Sequence, residues 1–435
     1  MMVVCKFGGS SVADALQLKK IKAIIDADPK RSILIVSAPG KRTSADEKVT
    51  DLLYECANRV THGESCSPTF AKIIERYSTI LDDLQINHAS FDPLFRSIEA
   101  RINEGSGSHY AASRGEFLAA KLVAAYFGWE FLDTQELITI QSDGTVSEGS
   151  YERIAQAIDP AKRYVIPGFY GSDSEGMIKT FSRGGSDITA SVVARAVGAE
   201  VYENWTDVSG IYAIDPRLTP KATVIPELTY HEIRSLAGVG ANVFHEEAIA
   251  PLYHLDIPIN VKNTNDPDAG GTWIRPTRSY AQAPIVGVSA KAGYTRLRLE
   301  KLLLLKQTGI RQGMLTMLHV FGIHPTFASS GIDSVAWYFE ADQASEQILA
   351  ALCRRLKDEF GLDEAEVTPN IAIVGVVGEG VSHLEGVVSN ATGALADEGI
   401  DLMFLSIGSS PSTLLLGVDE HKMKEATLTL FDTLF

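Results

Sequence analysis

Apolar and polar positions along the first half of the chain follow two periods. Val3–Phe7 and Ile33–Ser37 are short apolar runs bounded by turn residues, which predicts buried strands. Between them Val12, Leu16, Ile21, Ile24 and Ile25 recur at helical spacing, with Lys19, Lys20 and Lys22 as the polar positions. This predicts a helix over 12–26, capped by Ser10 or Ser11 and joined to the first strand by Gly8-Gly9. Further helices are predicted at 49–61, 71–84, 91–103, 114–127 and 187–197, with a flexible break at 104–108. Strands are predicted at 164–167, 177–181, 201–205 and 257–261, with residues 171–176 as a hairpin tip between the first two. Continuous apolar strands alternating with helices predict an α/β fold whose mainly parallel sheet is covered on both faces.

The texture changes after about Pro284. Two similar segments follow, each reading strand, helix, two strands, helix. The first has a strand at 296–305, a helix at 313–321, a strand at 334–339 and a helix at 345–359. The second has a strand at 371–377, a helix at 384–397, a strand at 413–418 and a helix at 422–430. A repeated βαββα pattern predicts two small α+β modules. The expected domains are therefore 1–284, 285–365 and 366–435. The length of 435 residues agrees, since single cores stop growing near about 250–300 residues.

A net charge of −16 disfavours nucleic acid and anionic membranes as partners, because both are polyanions. It leaves ATP open, since local lysines and backbone N–H groups can hold phosphate in an acidic protein. Cys5, Cys56, Cys66 and Cys353 form no CxxC pair, so neither a zinc site nor a disulfide frame is expected. The longest apolar runs, such as Leu302–Leu305, are too short to cross a bilayer, and no signal-peptide core opens the chain. The expected location is the cytoplasm.

Four segments carry candidate chemistry. In Lys6-Phe7-Gly8-Gly9-Ser10-Ser11 a lysine ends a strand, two glycines turn the chain, and a helix begins. Glycines allow close approach to an anion, a helix start offers free N–H groups, and lysine adds charge, so the segment suits phosphate. It matches neither GxxxxGK[ST] nor GxGxxG; a plain turn with an exposed Lys6 is the alternative. Ser182-Arg183-Gly184-Gly185-Ser186-Asp187 is a second glycine turn feeding a helix. Asp187 there caps N–H groups, orients Lys6 or holds a metal-bound nucleotide, and Arg183 is a candidate bidentate grip on a carboxylate. Trp205–Tyr212 with Asp215-Pro216-Arg217 is a polar strand-end loop, readable also as a bare turn. In Ser113-Arg114-Gly115-Glu116, Glu116 either favours a helix dipole or faces an ammonium group. His245, beside Glu246 and Glu247, reads as a structural hydrogen-bonder.

The order and spacing of these segments, over nearly the whole chain, resemble the aspartokinases of the amino acid kinase family. Lys6–Ser10 is similar to their opening, Ser113–Glu116 to their substrate-ammonium motif, and Arg183–Asp187 to their second glycine motif. Residues 205–212 with 215–217 are similar to their nucleotide loop. Gly240–His245 is similar to their glycine–His segment, and Asn263–Pro267 with Gly271-Thr272 to their last strand loop. The tail resembles paired ACT domains, βαββαβ ferredoxin-like modules that usually bind amino-acid effectors.

The resemblance implies an eight-stranded, mainly parallel sheet between helices. It implies ATP-dependent phosphorylation of the side-chain carboxylate of L-aspartate, the first step toward lysine, threonine and methionine. Lys6 and Asp187 would act in catalysis, and Thr50, Glu116, Arg183, Gly184, Gly185 and Ser186 would hold aspartate. Lys6, Gly8, Gly9, Ser10, Thr206, Asp207, Tyr212, Arg217 and Asn265 would hold the nucleotide, with the Gly8 and Gly9 N–H groups on the transferring phosphoryl. No metal site made of protein ligands is implied; Mg2+ would come with ATP. The aspartate side chain, with an ordinary pKa of about 3.9, is already ionised, so its attack needs no general base. Ser329, Ser330 and Asp333 would meet an amino-acid effector, lysine rather than threonine because an acidic residue suits a cation. A homodimer or dimer of dimers through the tail is implied.

The chain departs from the family pattern in three places. Residues 39–47 lengthen a usually short loop before Thr50, and neither Lys306–Gly313 nor Ser406–Ser410 carries the usual effector-loop wording. Kinases of glutamate, acetylglutamate or carbamate fit less well, given the paired tail and the Ser113–Glu116 motif. An inactive sensor fits less well because Lys6, Arg183 and Asp187 are intact. A fused homoserine dehydrogenase is not expected, since the chain ends with the tail modules.

Overall fold

The computed structural model describes residues 2–182, 184–241, 246–253, 255–407, 410 and 412–435. The chain forms two compact units. One comprises Met1–Ile211, Val224–Ile233 and Asn242–Arg278; the other comprises Tyr212–Thr223, Arg234–Ala241 and Ser279–Phe435.

The first unit contains strands β1 (Val3–Phe7), β2 (Arg31–Val36), β3 (Glu130–Phe131), β4 (Tyr164–Pro167), β5 (Tyr170–Ser172), β6 (Ile178–Thr180), β7 (Val201–Thr206), β8 (Glu227–Thr229), β9 (Ile259–Asn263) and β10 (Thr272–Arg275). Eight of them form one sheet in the order β3-β4-β2-β1-β7-β9-β10-β8. Neighbours run parallel except at β9–β10, so β10 and β8 oppose the other six. This is the mainly parallel, eight-stranded sheet expected. All five residues of β1 are buried, which fits a strand covered on both faces.

The helix Val49–Thr61 lies where its periodicity predicts. Three other expectations are corrected. The helix predicted over 12–26 runs from Ala15 to Asp26, and its cap is Asp14, whose carboxylate accepts the Gln17 N–H at 2.9 Å. Ser10 and Ser11 lie instead in a 3-10 turn, Gly9–Val12. The turn at 171–176 closes β5 onto β6 in a separate two-stranded ribbon and does not extend β4. The helix predicted at 114–127 begins earlier, at Gly107.

The C-terminal ends of β1, β2, β4 and β7, which neighbour one another in parallel, open at one edge of the sheet, where a parallel fold offers its binding crevice. Farther along, Thr229 and Glu232 form a reciprocal cap on the helix Tyr230–Gly238. The Thr229 N–H donates to Glu232 Oε2 at 2.8 Å, and the Glu232 N–H to Thr229 Oγ1 at 3.1 Å. The same Glu232 carboxylate takes both Nε and a terminal nitrogen of Arg278, with side chains 0% and 3% exposed.

The second unit holds β11 (Gly287–Glu300), β12 (Phe327–Ser330), β13 (Ser334–Glu340), β14 (Glu364–Val377), β15 (Phe404–Ile407) and β16 (Thr413–Asp419). They form one antiparallel sheet, β12-β13-β11-β14-β16-β15. The first module uses residues 294–300 of β11, which pair with β13, and residues 364–368 of β14. The second starts with residues 371–377 of β14, and the strand completing it is the N-terminal end of β11, residues 287–291. It is therefore assembled from both sides of the first. Val335, Trp337 and Phe339 of β13 face the helices, with Met314, Leu318 and Leu352. Ala336 and Tyr338 face the other way, where the sheet curls. The Tyr338 and Phe404 rings meet at 4.5 Å across three intervening strands, and Val239 joins that cluster.

Candidate active site

Lys6 is the fourth residue of β1, and its side chain turns toward the helix Gly185–Val197. Its Nζ lies 2.6 Å from Asp187 Oδ1. Asp187 is in the first turn of that helix, which begins after Gly184 in the left-handed conformation, φ 71°. The Lys6 ammonium also lies 3.7 Å from where a side chain at Gly8 would begin, so it sits directly against the glycine turn. Two neighbours were not legible in the sequence. Asn204 pairs with Lys6 across the parallel strands β1 and β7, and Tyr202 lies two residues before it on the same face. The Asn204 amide donates to Asp187 Oδ1 at 2.9 Å and lies 3.1 Å from the Tyr202 hydroxyl. Burial, then the Asp187 charge, pushes the Tyr202 phenol well above its ordinary pKa.

The Gly8 amide corrects one expectation. It donates to Trp205 O at 3.0 Å, so it is not free for a phosphoryl oxygen. The N–H groups of Gly9 and Ser10 open the 3-10 turn, where a helix start has no intrahelical acceptor for them.

Glu116 lies on the helix Gly107–Phe127 and is buried. A side chain at Gly115 would stand 2.7 Å from the Ala38 Cβ, so glycine lets the helix approach the end of β2. Glu116 accepts the backbone N–H of Ala38, and among the described residues its buried Oε2 has no partner. Desolvation pushes its pKa up to about 8, against those backbone bonds and the Arg114 charge. An inward carboxylate oxygen with no donor is chemically suited to an ammonium group.

Arg114, assigned no role from the sequence, is buried within 5.2 Å of the Tyr110, Phe117 and Tyr170 rings, and one of its terminal nitrogens has no acceptor among the described residues. Thr50 is half-buried in the first turn of the helix Val49–Thr61. The long loop before it is fixed by Arg76, which donates to Gly40 O at 2.9 Å and Asp46 Oδ2 at 2.5 Å. Arg42, and then Arg76, holds the Asp46 carboxyl well below the usual range. Ser186 is buried at the start of its helix. Arg183 and residues 242–245 lie outside the described residues.

Thr206 donates to Asp207 Oδ1 at 3.1 Å just past β7. The Asn265 side-chain oxygen accepts Lys20 Nζ at 2.7 Å and Gln17 Nε2 at 3.3 Å. Tyr212 and Arg217 belong to the second unit, where Arg217 pairs with Asp215. In the same unit Ser329 and Ser330 lie on the edge strand β12. Asp333 Oδ1 accepts the Leu303 N–H at 2.7 Å, so that oxygen shapes the 301–306 turn.

The amino acid kinase family pattern matches residues 1–263, and an ACT domain pattern matches 374–434. Over its full length the chain is 33% identical to aspartokinase 3 of Bacillus subtilis and covers 99% of it. The chain belongs to the aspartokinases of the amino acid kinase family. The crystal structure of Clostridium acetobutylicum aspartate kinase is 38% identical, with a TM-score of 0.92 and 100% of both chains covered. That of E. coli aspartokinase III in complex with aspartate and ADP is 25% identical, with a TM-score of 0.83 and 100% of both chains covered. The E. coli relative named lysine-sensitive aspartokinase 3 is 26% identical over 100% of this chain and 99% of that protein. In this aspartokinase an asparagine bridges the lysine–aspartate pair of the two glycine turns.

Proposed function

We propose that the protein transfers the γ-phosphoryl group of ATP to the β-carboxylate of L-aspartate. The observation that carries this reading is the Lys6–Asp187 pair beneath the Gly8 turn, in a unit that also buries a Glu116 oxygen with no partner among the described residues. An aspartate carboxylate oxygen forms the new bond to Pγ. The bond from Pγ to the bridging oxygen breaks, and its electron pair leaves with ADP. No proton moves, so the protein supplies position and charge. Lys6 neutralises the transferring group, the Gly9 and Ser10 N–H groups line its path, and Glu116 receives the substrate ammonium. Thr50, Ser186 and Arg183 hold the rest of the amino acid. Thr206, Asp207 and Asn265 serve the nucleotide, and Mg2+ enters as the magnesium–ATP substrate.

Lysine is the effector we favour for the second unit, in keeping with the name of the E. coli relative. The edge strands β12 and β15 carry unpaired backbone groups suited to pairing with a second copy, which supports a homodimer through this unit. All four cysteines are free thiols, in keeping with a reducing cytoplasm.

The test is ADP release with aspartate, glutamate, acetylglutamate and carbamate in turn, with the acyl phosphate trapped by hydroxylamine. Turnover with aspartate and a trapped hydroxamate is expected. Faster turnover with another acceptor would overturn the assignment.

A further inference from the structure

Asn204 is 3% exposed in a strand whose other buried residues are Tyr202, Glu203 and Trp205. A buried amide costs stability unless its hydrogen bonds are made. Here they are made to the two charged groups of the site. The side-chain oxygen lies 3.5 Å from Lys6 Nζ, and the nitrogen gives one bond to Asp187 Oδ1 and reaches the Tyr202 hydroxyl with the other. The amide dipole is thus aligned with the ion pair, its acceptor end on the cation and its donor end on the anion. It adds no charge.

We infer that Asn204 is a positioning residue for the phosphoryl transfer proposed above. An ammonium on a flexible four-carbon stem, left with one carboxylate, can settle against either oxygen. Asn204 prevents this in two ways. Its N–H shares Asp187 Oδ1 with Lys6 and so fixes how the carboxylate is turned, and its carbonyl draws Nζ toward β7. Lys6 has three N–H donors. With one directed at Asp187 and one at Asn204, the third is left for the side where Gly8 gives room. Tyr202 steadies the amide from behind, so its orientation is fixed before substrate arrives.

Two variants test this. Asn204→Leu keeps the volume and removes the bridge. Its kcat should fall about 10- to 100-fold, as expected for misplacement near 1 Å, while KM for ATP and aspartate changes less than about threefold. Asn204→Asp keeps the shape and removes the donor. When its carboxyl is protonated the hydroxyl can donate to Asp187 and the carbonyl can still accept from Lys6, reproducing the amide. When it ionises it repels Asp187. At saturating substrates the kcat ratio of Asn204→Asp to the unaltered enzyme should therefore rise as pH falls, a limb that a purely structural role would not produce. If Asn204→Leu does not fold, the isosteric Asn204→Asp profile decides alone. Turnover of the unaltered enzyme on aspartate tests the proposed reaction separately. The inference is overturned if that turnover stands and Asn204→Leu keeps kcat within twofold, or if the Asn204→Asp ratio is flat with pH.

Discussion

Glu116 accepts the backbone N–H of Ala38 while its other carboxylate oxygen is enclosed with no partner among the described residues. A carboxyl held up to about 8 is mostly protonated at neutral pH and must lose its proton to meet an ammonium. Aspartate binding should therefore release close to one proton per site below pH 8, and less above it. Calorimetry in buffers of different ionisation heat measures this. Equal heats in all buffers would show that Glu116 does not face the substrate charge.

The same shift sets a stability trend. The folded pKa lies above the unfolded value of about 4.3, so this contribution is complete at low pH and is lost as pH rises through about 8. Glu116→Gln removes the cost of burying the charge. Its melting temperature should match the unaltered protein near pH 4, exceed it increasingly up to about pH 8 and level off above that, while aspartate KM rises far more than ATP KM. Equal effects on both KM values would make Glu116 a structural residue.

Lys6→Ala should abolish turnover and leave the fold intact, since the lysine is the charge placed against the glycine turn. Retention of more than about a tenth of the activity by a folded variant would refute the role.

The Glu232–Arg278 pair offers a different kind of measurement. Both side chains are almost wholly enclosed, and Glu232 also caps its helix. Arg278→Met alone should cost about 3–5 kcal/mol in urea unfolding because it strands a buried carboxylate. Adding Glu232→Gln to it should recover part of the loss. A cost below about 1 kcal/mol would place the pair among weak surface bridges.

In the second unit, lysine should inhibit at sub-saturating aspartate and raise the melting temperature. Asp333→Ala should weaken both responses, because the turn that Asp333 fixes through Leu303 N–H loosens. No response to lysine in the unaltered protein would remove the sensing role.

Legibility in the sequence followed the physics of each element. The strands Val3–Phe7 and Tyr164–Pro167 and the helix Val49–Thr61 stand out because apolar runs and amphipathic periodicity are local signals. The helix Gly107–Phe127 hid its first two turns because residues 110–116 are all buried, leaving no polar face to mark a period. Its companion error at Ser10 and Ser11 arose because any serine before an apolar run resembles a cap, while the side chain that reaches a free N–H is Asp14. Lys6, Glu116 and Asp187 were legible because motifs surround them. Asn204 and Tyr202 were not, since their meaning comes from the register of β7 beside β1, and Arg114 was not, since its rings arrive from Tyr170 and Phe117.

The interleaving of β11 and β14 has a consequence for synthesis. Residues 287–291 leave the ribosome well before their partners at 371–377, and more than seventy residues separate the two stretches. The first module can gather around its own strands while this leading segment waits as an open edge. A chain ended after the first module would keep that edge permanently bare, a template for stacking with its own kind. Nonsense changes between 366 and 371 should therefore yield insoluble protein rather than a desensitised kinase, and the second module cannot be removed alone.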